Sequence, residues 1–295
     1  MGCLNEIHWA GRIVTRASDD LVIGASYGTR ANCNISSTEA CILEAARKEI
    51  TLSLRTSLRK IPAARHAYCS SFLLRYMRAR LGAESSFAQY GEDLLIRRLV
   101  PDVRFFIDIG ANDGISGSNS FYFALRGASG ICLEPVSEPF RKLRSLYSLR
   151  RDVVCRQLAV SDREAETEIV AADYYSFLPE TEDSTHSSLS KCWGLLEPKP
   201  EWVILKPFLH AIAGVQVPSI VDLLSVDVEG HELNVLRSIP FDKYKFRCIV
   251  VETHLDLEGK RVWQHRDLSS INGLLAGFGY EAVSASNANT LYMLA

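Results

Sequence analysis

Residues 105–114 read Phe-Phe-Ile-Asp-Ile-Gly-Ala-Asn-Asp-Gly, which is the clearest structural signal in the chain. The first five residues form an apolar run that predicts a buried β-strand. Gly110 permits a sharp turn as the chain leaves that strand, and Gly114 lets backbone approach a ligand with no Cβ in between. A helix is predicted over residues 118–125. The stretch therefore predicts a strand, a ligand loop and a helix, in that order.

Short apolar runs alternate with helical patterns over the rest of this region. Strands are predicted at 130–134, 153–160, 221–228 and 247–252, helices at 87–99, 137–146, 232–239 and 268–277, and a closing hairpin-like pair at 280–284 and 290–294. This alternation predicts an α/β fold with a mostly parallel sheet and helices on both faces. The intervening region is less regular, with a strand predicted at 166–171, a loop at 179–190 and a helical piece at 201–213.

Residues 1–83 are predicted to form a separate N-terminal extension, partly helical and basic, before a catalytic domain of residues 84–295. The extension carries 12 Lys and Arg against 6 Asp and Glu, whereas the remainder carries 21 against 29. Seven basic residues and no acidic one fall within 51–80. We interpret this segment as a solvated helix face; contact with an anionic membrane surface, a nucleic acid or a protein partner is the alternative.

Composition narrows the class of protein. Hydrophobic residues make up 47% of the chain and charged residues 23%, as in ordinary globular proteins. Eight cysteines are scattered and none forms a Cys-x-x-Cys pair, so a zinc site is not indicated. No apolar run of 18 residues is present, and the N-terminus lacks a secretory pattern. We expect a cytoplasmic protein.

The loop after the first strand favours one cofactor class over another. A dinucleotide-binding loop needs Gly-x-Gly-x-x-Gly, but residue 112 is Asn and residue 113 is Asp. The acidic residues Asp108 and Asp113 disfavour a pyrophosphate and favour a ligand that carries an ammonium and a sulfonium. The sequence therefore predicts S-adenosylmethionine rather than NAD, bound by Asp108, Gly110, Asn112 and Gly114.

Glu134 extends this prediction to the second strand. It ends that strand 26 residues after Asp108. An acid at that place can accept hydrogen bonds from both hydroxyls of a ribose. A surface acid at a strand end is the alternative interpretation.

Polar groups also end the fourth and fifth predicted strands. Asp227 and Glu229 follow an apolar run and, being two residues apart, lie on the same side of it. Glu252 and His254 end the next strand. We take these four as candidate catalytic residues, with His231 and His186 as weaker candidates for a general base. Asp227 and Glu229 could instead hold a divalent ion, but two ligands are too few for us to predict a metal.

From about residue 85 to 294 the sequence resembles the FkbM family of S-adenosylmethionine-dependent methyltransferases. The motifs that carry the resemblance are Gln-Tyr-Gly-Glu-Asp at 89–93, Asp-Ile-Gly-Ala-Asn-Asp-Gly at 108–114, Glu-Pro at 134–135 and Asp-Val-Glu-Gly at 227–230. The segment before the fourth strand departs from the family pattern, so the resemblance assigns no substrate contacts there. Residues 1–80 are not covered.

The resemblance implies a Rossmann-like class I methyltransferase fold with seven strands, the last of them antiparallel. It implies methylation of an oxygen, often a hydroxyl of a sugar or natural product. Gln89, Tyr90 and Asp93 are then expected to close over the methionine end of the cofactor, and Asp162 to lie near its adenine.

Two other functions remain as alternatives. A methyltransferase fold that has lost catalysis could dock to a membrane or a protein partner through the basic segment 51–80. The intact loop at 108–114 and the acids at 227–230 count against this. A nucleic-acid methyltransferase is disfavoured because the sequence lacks the Asn/Asp-Pro-Pro-Tyr motif of amino-group enzymes.

Overall fold

The computed structural model describes residue 76 and residues 85–172, 175–177, 199–257 and 260–295. The predicted N-terminal extension of residues 1–83 lies outside this part of the chain, apart from Tyr76. So does the predicted loop at 179–190, which contains His186. None of the described helices is long and apolar enough to cross a membrane.

Helices and strands alternate along the described chain. In order they are α1 (Glu92–Leu99), β1 (Phe105–Ile109), α2 (Phe121–Leu125), β2 (Ser129–Leu133), α3 (Ser137–Leu146), β3 (Val153–Arg156), β4 (Ala159–Val160), β5 (Ala165–Ala172), β6 (Tyr175–Phe177), β7 (Lys199–Lys206), α4 (Phe208–Ala211), β8 (Ile220–Val226), α5 (Glu232–Ser238), β9 (Lys245–Glu252), β10 (His254–Leu257), β11 (Lys260–Gln264), α6 (Leu268–Gly277), β12 (Tyr280–Ala285) and β13 (Asn289–Leu294).

A seven-stranded sheet forms the centre of the fold, in the order β12-β13-β9-β8-β1-β2-β3. The strands β3, β2, β1, β8 and β9 are parallel, and β13 is antiparallel to both of its neighbours. The prediction of a mostly parallel sheet with an antiparallel closing strand is confirmed. Strand order reverses at β1, because β2 lies on one side of it and β8 on the other. Ligands of such sheets bind beyond the carboxyl ends of the strands at this switch point.

Helices cover both faces of the sheet, as predicted. On one face, Ile107 packs in a buried cluster with Leu236 of α5 and Leu275 of α6. On the other face, Phe106 packs with residues of α1, α2 and α3, including Ile96. Since β1 is buried on both faces, its sequence is continuously apolar except for Asp108.

Several predicted boundaries are wrong. The strand predicted at 153–160 is two strands, of which β4 belongs to a separate four-stranded sheet with β5, β6 and β7. The helix predicted at 201–213 contains β7 and only the short α4. Within β7, Val203 and Leu205 are buried while Trp202 and Ile204 are exposed, which is the period of a strand.

Two helices begin later than predicted. The helix placed at 87–99 begins at Glu92. The helix placed at 118–125 begins at Phe121, because Ser118 accepts the Phe121 N–H at 3.0 Å and so ends the preceding loop. Ser137 is the first residue of α3, and its N–H and hydroxyl both donate to Glu201.

Gly110 joins the ends of β1 and β8. Its φ is +86°, and a Cβ there would lie 1.7 Å from the carbonyl oxygen of Asp227. We expect Gly110→Ala to lower the melting temperature strongly or to prevent folding, because backbone must move to relieve the clash. Gly127→Ala is the matched control: φ is +98° and no atom lies within 4 Å of the added Cβ. It should cost only about 1–2 kcal/mol, the usual strain of a left-handed residue.

Thermal denaturation of the two variants measures the difference. Equal losses of stability would show that backbone strain, and not the close approach to Asp227, makes glycine necessary at 110.

Candidate cofactor and catalytic site

The loop after β1 lies against the ends of β2 and β8. The N–H groups of Gly110 and Ala111 donate to the Leu133 carbonyl at 2.9 and 3.0 Å, and the Asp227 N–H donates to Ile109 at 3.0 Å. Asn112 has a φ of +49°, uncommon for a residue with a side chain. The loop is therefore fixed by backbone bonds on both sides, at the place where the strand order reverses.

Glu134 links this loop to the chain beyond β2. One carboxylate oxygen accepts the N–H of Asn112 at 2.9 Å, and the other accepts that of Val136 at 2.8 Å. The side chain is buried. Burial raises the pKa of Glu134 to about 7, although the two backbone bonds oppose this. Each oxygen keeps a second lone pair, so Glu134 fits the predicted acceptor of ribose hydroxyls.

Asp108 lies one residue before the end of β1, inside the sheet. Its Oδ2 accepts the Ser120 hydroxyl at 2.5 Å, and Ser225 of β8 supplies a further hydrogen bond. Burial raises the pKa of Asp108 to about 6. Asn119 donates to Ser225 at 3.2 Å, so the loop before α2 covers this acid. Asp108 thus links the start of the cofactor loop to α2 and β8 through the hydroxyls of Ser120 and Ser225.

Gly114 and Asp113 have structural roles within the loop. A Cβ at Gly114 would lie 2.7 Å from Leu143 and 2.9 Å from Leu146 of α3, so glycine is needed there for packing. Asp113 accepts the N–H groups of Ile115 and Ser116 at 2.9 and 2.8 Å. The carboxylate of Asp113 therefore stabilises the turn that follows it along the chain.

Asp227, Glu229 and Glu252 come together at the ends of β8 and β9, as predicted. One carboxylate oxygen of each lies within 4.8 Å of one from each of the others. Burial raises the pKa of Asp227 to about 7, and the charge of Glu232 adds to the effect. Burial and the neighbouring carboxylates hold the pKa values of Glu229 and Glu252 well above the usual range. These acids keep protons more readily than ordinary carboxylates do.

The turn that carries Glu229 is held by a buried pair, Glu232 and His265. Oε1 of Glu232 accepts the N–H groups of Val228 and Gly230 at 2.9 and 3.2 Å. His265 Nε2 lies 2.6 Å from the other oxygen, and both side chains are fully buried. The Asp267 N–H donates to Nδ1 at 2.9 Å, which leaves the ring proton on Nε2, facing Glu232. Burial would raise the pKa of Glu232, but the bond and charge of His265 leave it lowered.

His254 does not have the bonding expected of a general base. Its Nε2 donates to the Ser286 carbonyl at 2.7 Å, and its Nδ1 lies 2.8 Å from the Thr253 hydroxyl. The ring is buried. Nε2 therefore links the end of β9 to the β12–β13 turn, and both ring nitrogens are engaged, which favours a structural role; the catalytic role of His254 stays a prediction.

The Gln-Tyr-Gly-Glu-Asp motif lies beside the cofactor loop, where Ala88 forms a parallel bridge with Gly117. Gln89 is exposed and Tyr90 is partly exposed, so both can approach a ligand. Asp93 cannot, because it is fully buried and accepts the Ser86 hydroxyl at 2.5 Å and the Phe87 N–H at 2.8 Å. The motif residue Asp93 fixes the segment, while Gln89 and Tyr90 remain candidates for the cofactor.

Asp162 is exposed and follows β4. It accepts a hydrogen bond from Asn234 of α5 at 3.1 Å. The adjacent Ser161 lies 3.0 Å from Nε2 of the buried His231. His231 therefore joins α5 to the second sheet, while Asp162 stays accessible at the rim, where it was predicted to meet the adenine.

Sequence reasoning missed two buried residues that shape the site. His265 gave no signal, because it belongs to no recognisable motif in the sequence. Glu92 was quoted only within a motif, yet its Oε1 accepts bonds from Ser286 at 2.6 Å and Asn289 at 2.8 Å, tying α1 to the β12–β13 turn.

The Glu232–His265 pair makes a stability prediction. We expect His265→Leu to destabilise the protein by about 3–5 kcal/mol, because Glu232 stays buried and loses the imidazole that contacts its second carboxylate oxygen at 2.6 Å. His210→Leu is a control of the same chemistry, since His210 pairs with Glu164 on the surface at 3.3 Å. It should leave the urea midpoint unchanged. Equal shifts in the two variants would contradict a special role for the buried pair.

Asp227 makes a pH prediction. Its folded pKa of about 7 exceeds its ordinary value of 3.8, so the protonated form favours folding. This contribution is complete below the ordinary value and is lost as pH rises through 7. Asp227→Asn should therefore gain stability over wild type between about pH 4 and pH 8. Among the described residues, the charged groups that act most on Asp227 are acids, namely Glu252, Glu229, Glu232, Asp108 and Glu92.

Melting temperatures in buffer with a chelator of divalent ions measure this effect. Asp242→Asn, at an exposed residue, is the control and should follow the wild type at every pH. If the difference in melting temperature between Asp227→Asn and wild type stays constant across this pH range, the pKa of Asp227 is not raised in the folded protein.

Solved structures give weak likenesses to this chain. The FkbM methyltransferase of Methylobacillus flagellatus KT is 13% identical with a TM-score of 0.39, over 64% of this chain and 43% of its own. The chain thus spans less than half of that relative. Precorrin-6y C5,15-methyltransferase of Geobacter metallireducens GS-15 is 11% identical with a TM-score of 0.39, over 71% and 90%. Aeropyrum pernix fibrillarin, solved with S-adenosyl-L-methionine, is 11% identical with a TM-score of 0.38, over 68% and 73%.

Sequence comparison is more informative. No curated protein matches the chain. The family described as the methyltransferase FkbM domain matches residues 108–282, which is more than half of the sequence and runs from Asp108 to β12. The matched range contains the cofactor loop, Glu134 and the three clustered acids. The chain therefore belongs to the FkbM family of S-adenosylmethionine-dependent methyltransferases.

Proposed function

We propose that this protein transfers the methyl group of S-adenosylmethionine to a hydroxyl oxygen of a sugar or a small natural-product-like acceptor. The observation that carries the proposal is the trio Asp227, Glu229 and Glu252 at the same sheet edge as the loop after β1. Proton acceptors thus lie next to the place where the cofactor is expected. The acceptor would be a small molecule or a glycan.

The described residues fit the cofactor. Glu134 has free lone pairs for the ribose hydroxyls, and the loop at Gly110 and Asn112 provides a fixed backbone beside them. The surrounding acids favour a positively charged ligand. Asp108 supports the loop, while Gln89, Tyr90 and Asp162 lie on the accessible rim and are proposed contacts.

When bound, S-adenosylmethionine supplies an electrophilic methyl group on a positively charged sulfur. The chain's own residues would hold the acceptor hydroxyl in line with that methyl, which accounts for much of the rate enhancement in such reactions. Glu229 or Glu252 would take the hydroxyl proton as the new oxygen–carbon bond forms and the carbon–sulfur bond breaks. Asp227 would help to position Glu229 and Glu252, since one of its oxygens lies within 4.8 Å of an oxygen of each.

Binding of S-adenosylhomocysteine tests the cofactor half of the proposal. We expect Glu134→Gln to weaken binding by about tenfold or more, because hydrogen bonds to a charged acceptor are worth about 1.5–3 kcal/mol. Binding to wild type should weaken as pH falls below 7, since the pKa of Glu134 is about 7 and its ionised form is the better acceptor. The variant should lose this dependence. Calorimetry at several pH values measures both effects.

Glu138→Gln is the matched control, because Glu138 is an exposed glutamate in the first turn of α3. Its affinity should equal that of wild type. A folded wild type that does not bind S-adenosylhomocysteine would overturn the proposal and favour a docking module without catalysis.

A further inference from the structure

We propose that Asp227, Glu229 and Glu252 form a binding site for one divalent cation, of the Mg²⁺ or Mn²⁺ type. From the sequence we predicted no metal, because two carboxylates on β8 were too few. The structure adds Glu252 of β9 as a third ligand from a neighbouring strand.

The spacing of the carboxylates suits a shared ion. The three ligand oxygens lie within 4.8 Å of one another. Two oxygens bound to one ion at about 2.0–2.6 Å are at most about 4–5 Å apart. At the Mg²⁺ distance of about 2.1 Å two bound oxygens are at most about 4.2 Å apart, so rotation of the side chains, with the backbone unchanged, would bring the three carboxylates onto one ion. Hard divalent cations prefer such oxygen ligands, and water or an acceptor oxygen can complete the coordination.

A second observation points to a missing ligand. Oε2 of Glu252 is fully buried, and it has no hydrogen-bond partner among the described residues. No lysine or arginine of the described chain forms an ion pair with Glu252 or Asp227, while the acids Glu232, Asp108 and Glu92 add to the negative potential around them. A buried carboxylate oxygen without a partner is costly. A cation bound to Oε2 of Glu252 would remove this free-energy cost.

The ligand-bearing turn is already fixed. Glu229 has a φ of +55°, a strained conformation for a residue with a Cβ. Glu232 holds that turn by accepting the Val228 and Gly230 N–H groups, and His265 occupies its other oxygen. Both carboxylate oxygens of Glu232 therefore already have protein partners, and we do not assign Glu232 as a ligand of the cation. Its bonds keep the Glu229 carboxylate near the other two, so little ordering is needed when an ion binds.

The cation would have a role in methyl transfer, and this part of the inference rests on the proposed function. A hydroxyl oxygen bound to a divalent ion loses its proton more readily, because the ion stabilises the alkoxide. The released proton would pass to the second oxygen of Glu229 or Glu252, because each of these carboxylates uses one oxygen for the ion. Metal binding itself does not depend on this role.

The experiment uses the purified full chain, freed of metals with a chelator and then titrated with MnCl₂. Calorimetry and the electron paramagnetic resonance signal of free Mn²⁺ report the stoichiometry and affinity. We expect one Mn²⁺ per chain and a higher melting temperature with Mn²⁺. Binding should tighten between about pH 6 and pH 8, since protons and the ion compete for the same oxygens.

Glu252→Gln is the test variant, and Glu281→Gln, at an exposed residue of β12, is its matched control. The test variant should bind Mn²⁺ at least tenfold more weakly, while the control binds as wild type does. In chelator the test variant should melt at or above the wild-type temperature, because Gln is neutral and has the shape of the protonated carboxyl that burial favours at Glu252, and this shows that it is folded.

Absence of Mn²⁺ binding by the folded wild type would overturn the inference. So would equal binding by Glu252→Gln. S-adenosylhomocysteine binding, measured on the same samples in chelator, separates the two proposals. If that binding persists without any Mn²⁺ site, the metal inference alone fails; if Mn²⁺ binds and S-adenosylhomocysteine does not, the proposed function alone fails.

Discussion

The close approach of Gly110 to the Asp227 carbonyl controls the distance between the two halves of the site. A side chain at 110 would collide with backbone, so the loop after β1 and the end of β8 can lie together only because this residue is glycine. The Asp227 N–H closes the same junction by donating to Ile109. As a consequence, the acid that begins the Asp-Val-Glu-Gly turn is placed directly beside the cofactor loop. The family motifs at 108–114 and 227–230, which are far apart in sequence, are thus two sides of one junction.

Crowding acids at this edge has an energetic cost that backbone amides partly offset. Glu134 receives two N–H bonds, Glu232 receives two, and Glu92 receives one together with two side-chain bonds. These carboxylates are held in place and define the shape of the site. The carboxylates of Asp227 and Glu252 lie close to each other, and among the described residues no backbone N–H donates to either of them. The distribution of N–H donors therefore separates the acids that support the structure from those available for a proton or a ligand.

The sequence predicted those parts of the site whose partners are close along the chain or at neighbouring strand ends. The loop at 108–114, Glu134 and the acids of β8 and β9 belong to this group, because strand ends in a parallel sheet share one edge. It did not predict the partners of buried polar side chains. The bond of His254 to Ser286, 32 residues away, has no trace in the sequence. Nor does the sequence show that Asp93, which was expected to close over the cofactor, accepts the Phe87 N–H inside the fold. The strand β7 was read as a helix because its pairing with β5 decides its conformation, not its local pattern.

Burial and the neighbouring charges decide whether the trio of acids is protonated, and so whether these acids can accept a proton. Burial and mutual repulsion raise the pKa of Asp227 to about 7 and hold the pKa values of Glu229 and Glu252 well above the usual range, so these acids keep protons that an ordinary carboxylate would release. A protonated acid cannot accept the proton of a hydroxyl. A positive charge bound nearby stabilises the ionised form and lowers these pKa values. On the proposed mechanism, the acids would become effective bases only when a cationic ligand is present. The base and the charged ligand would then be coupled through the electrostatics of one sheet edge, without any need for a moving part.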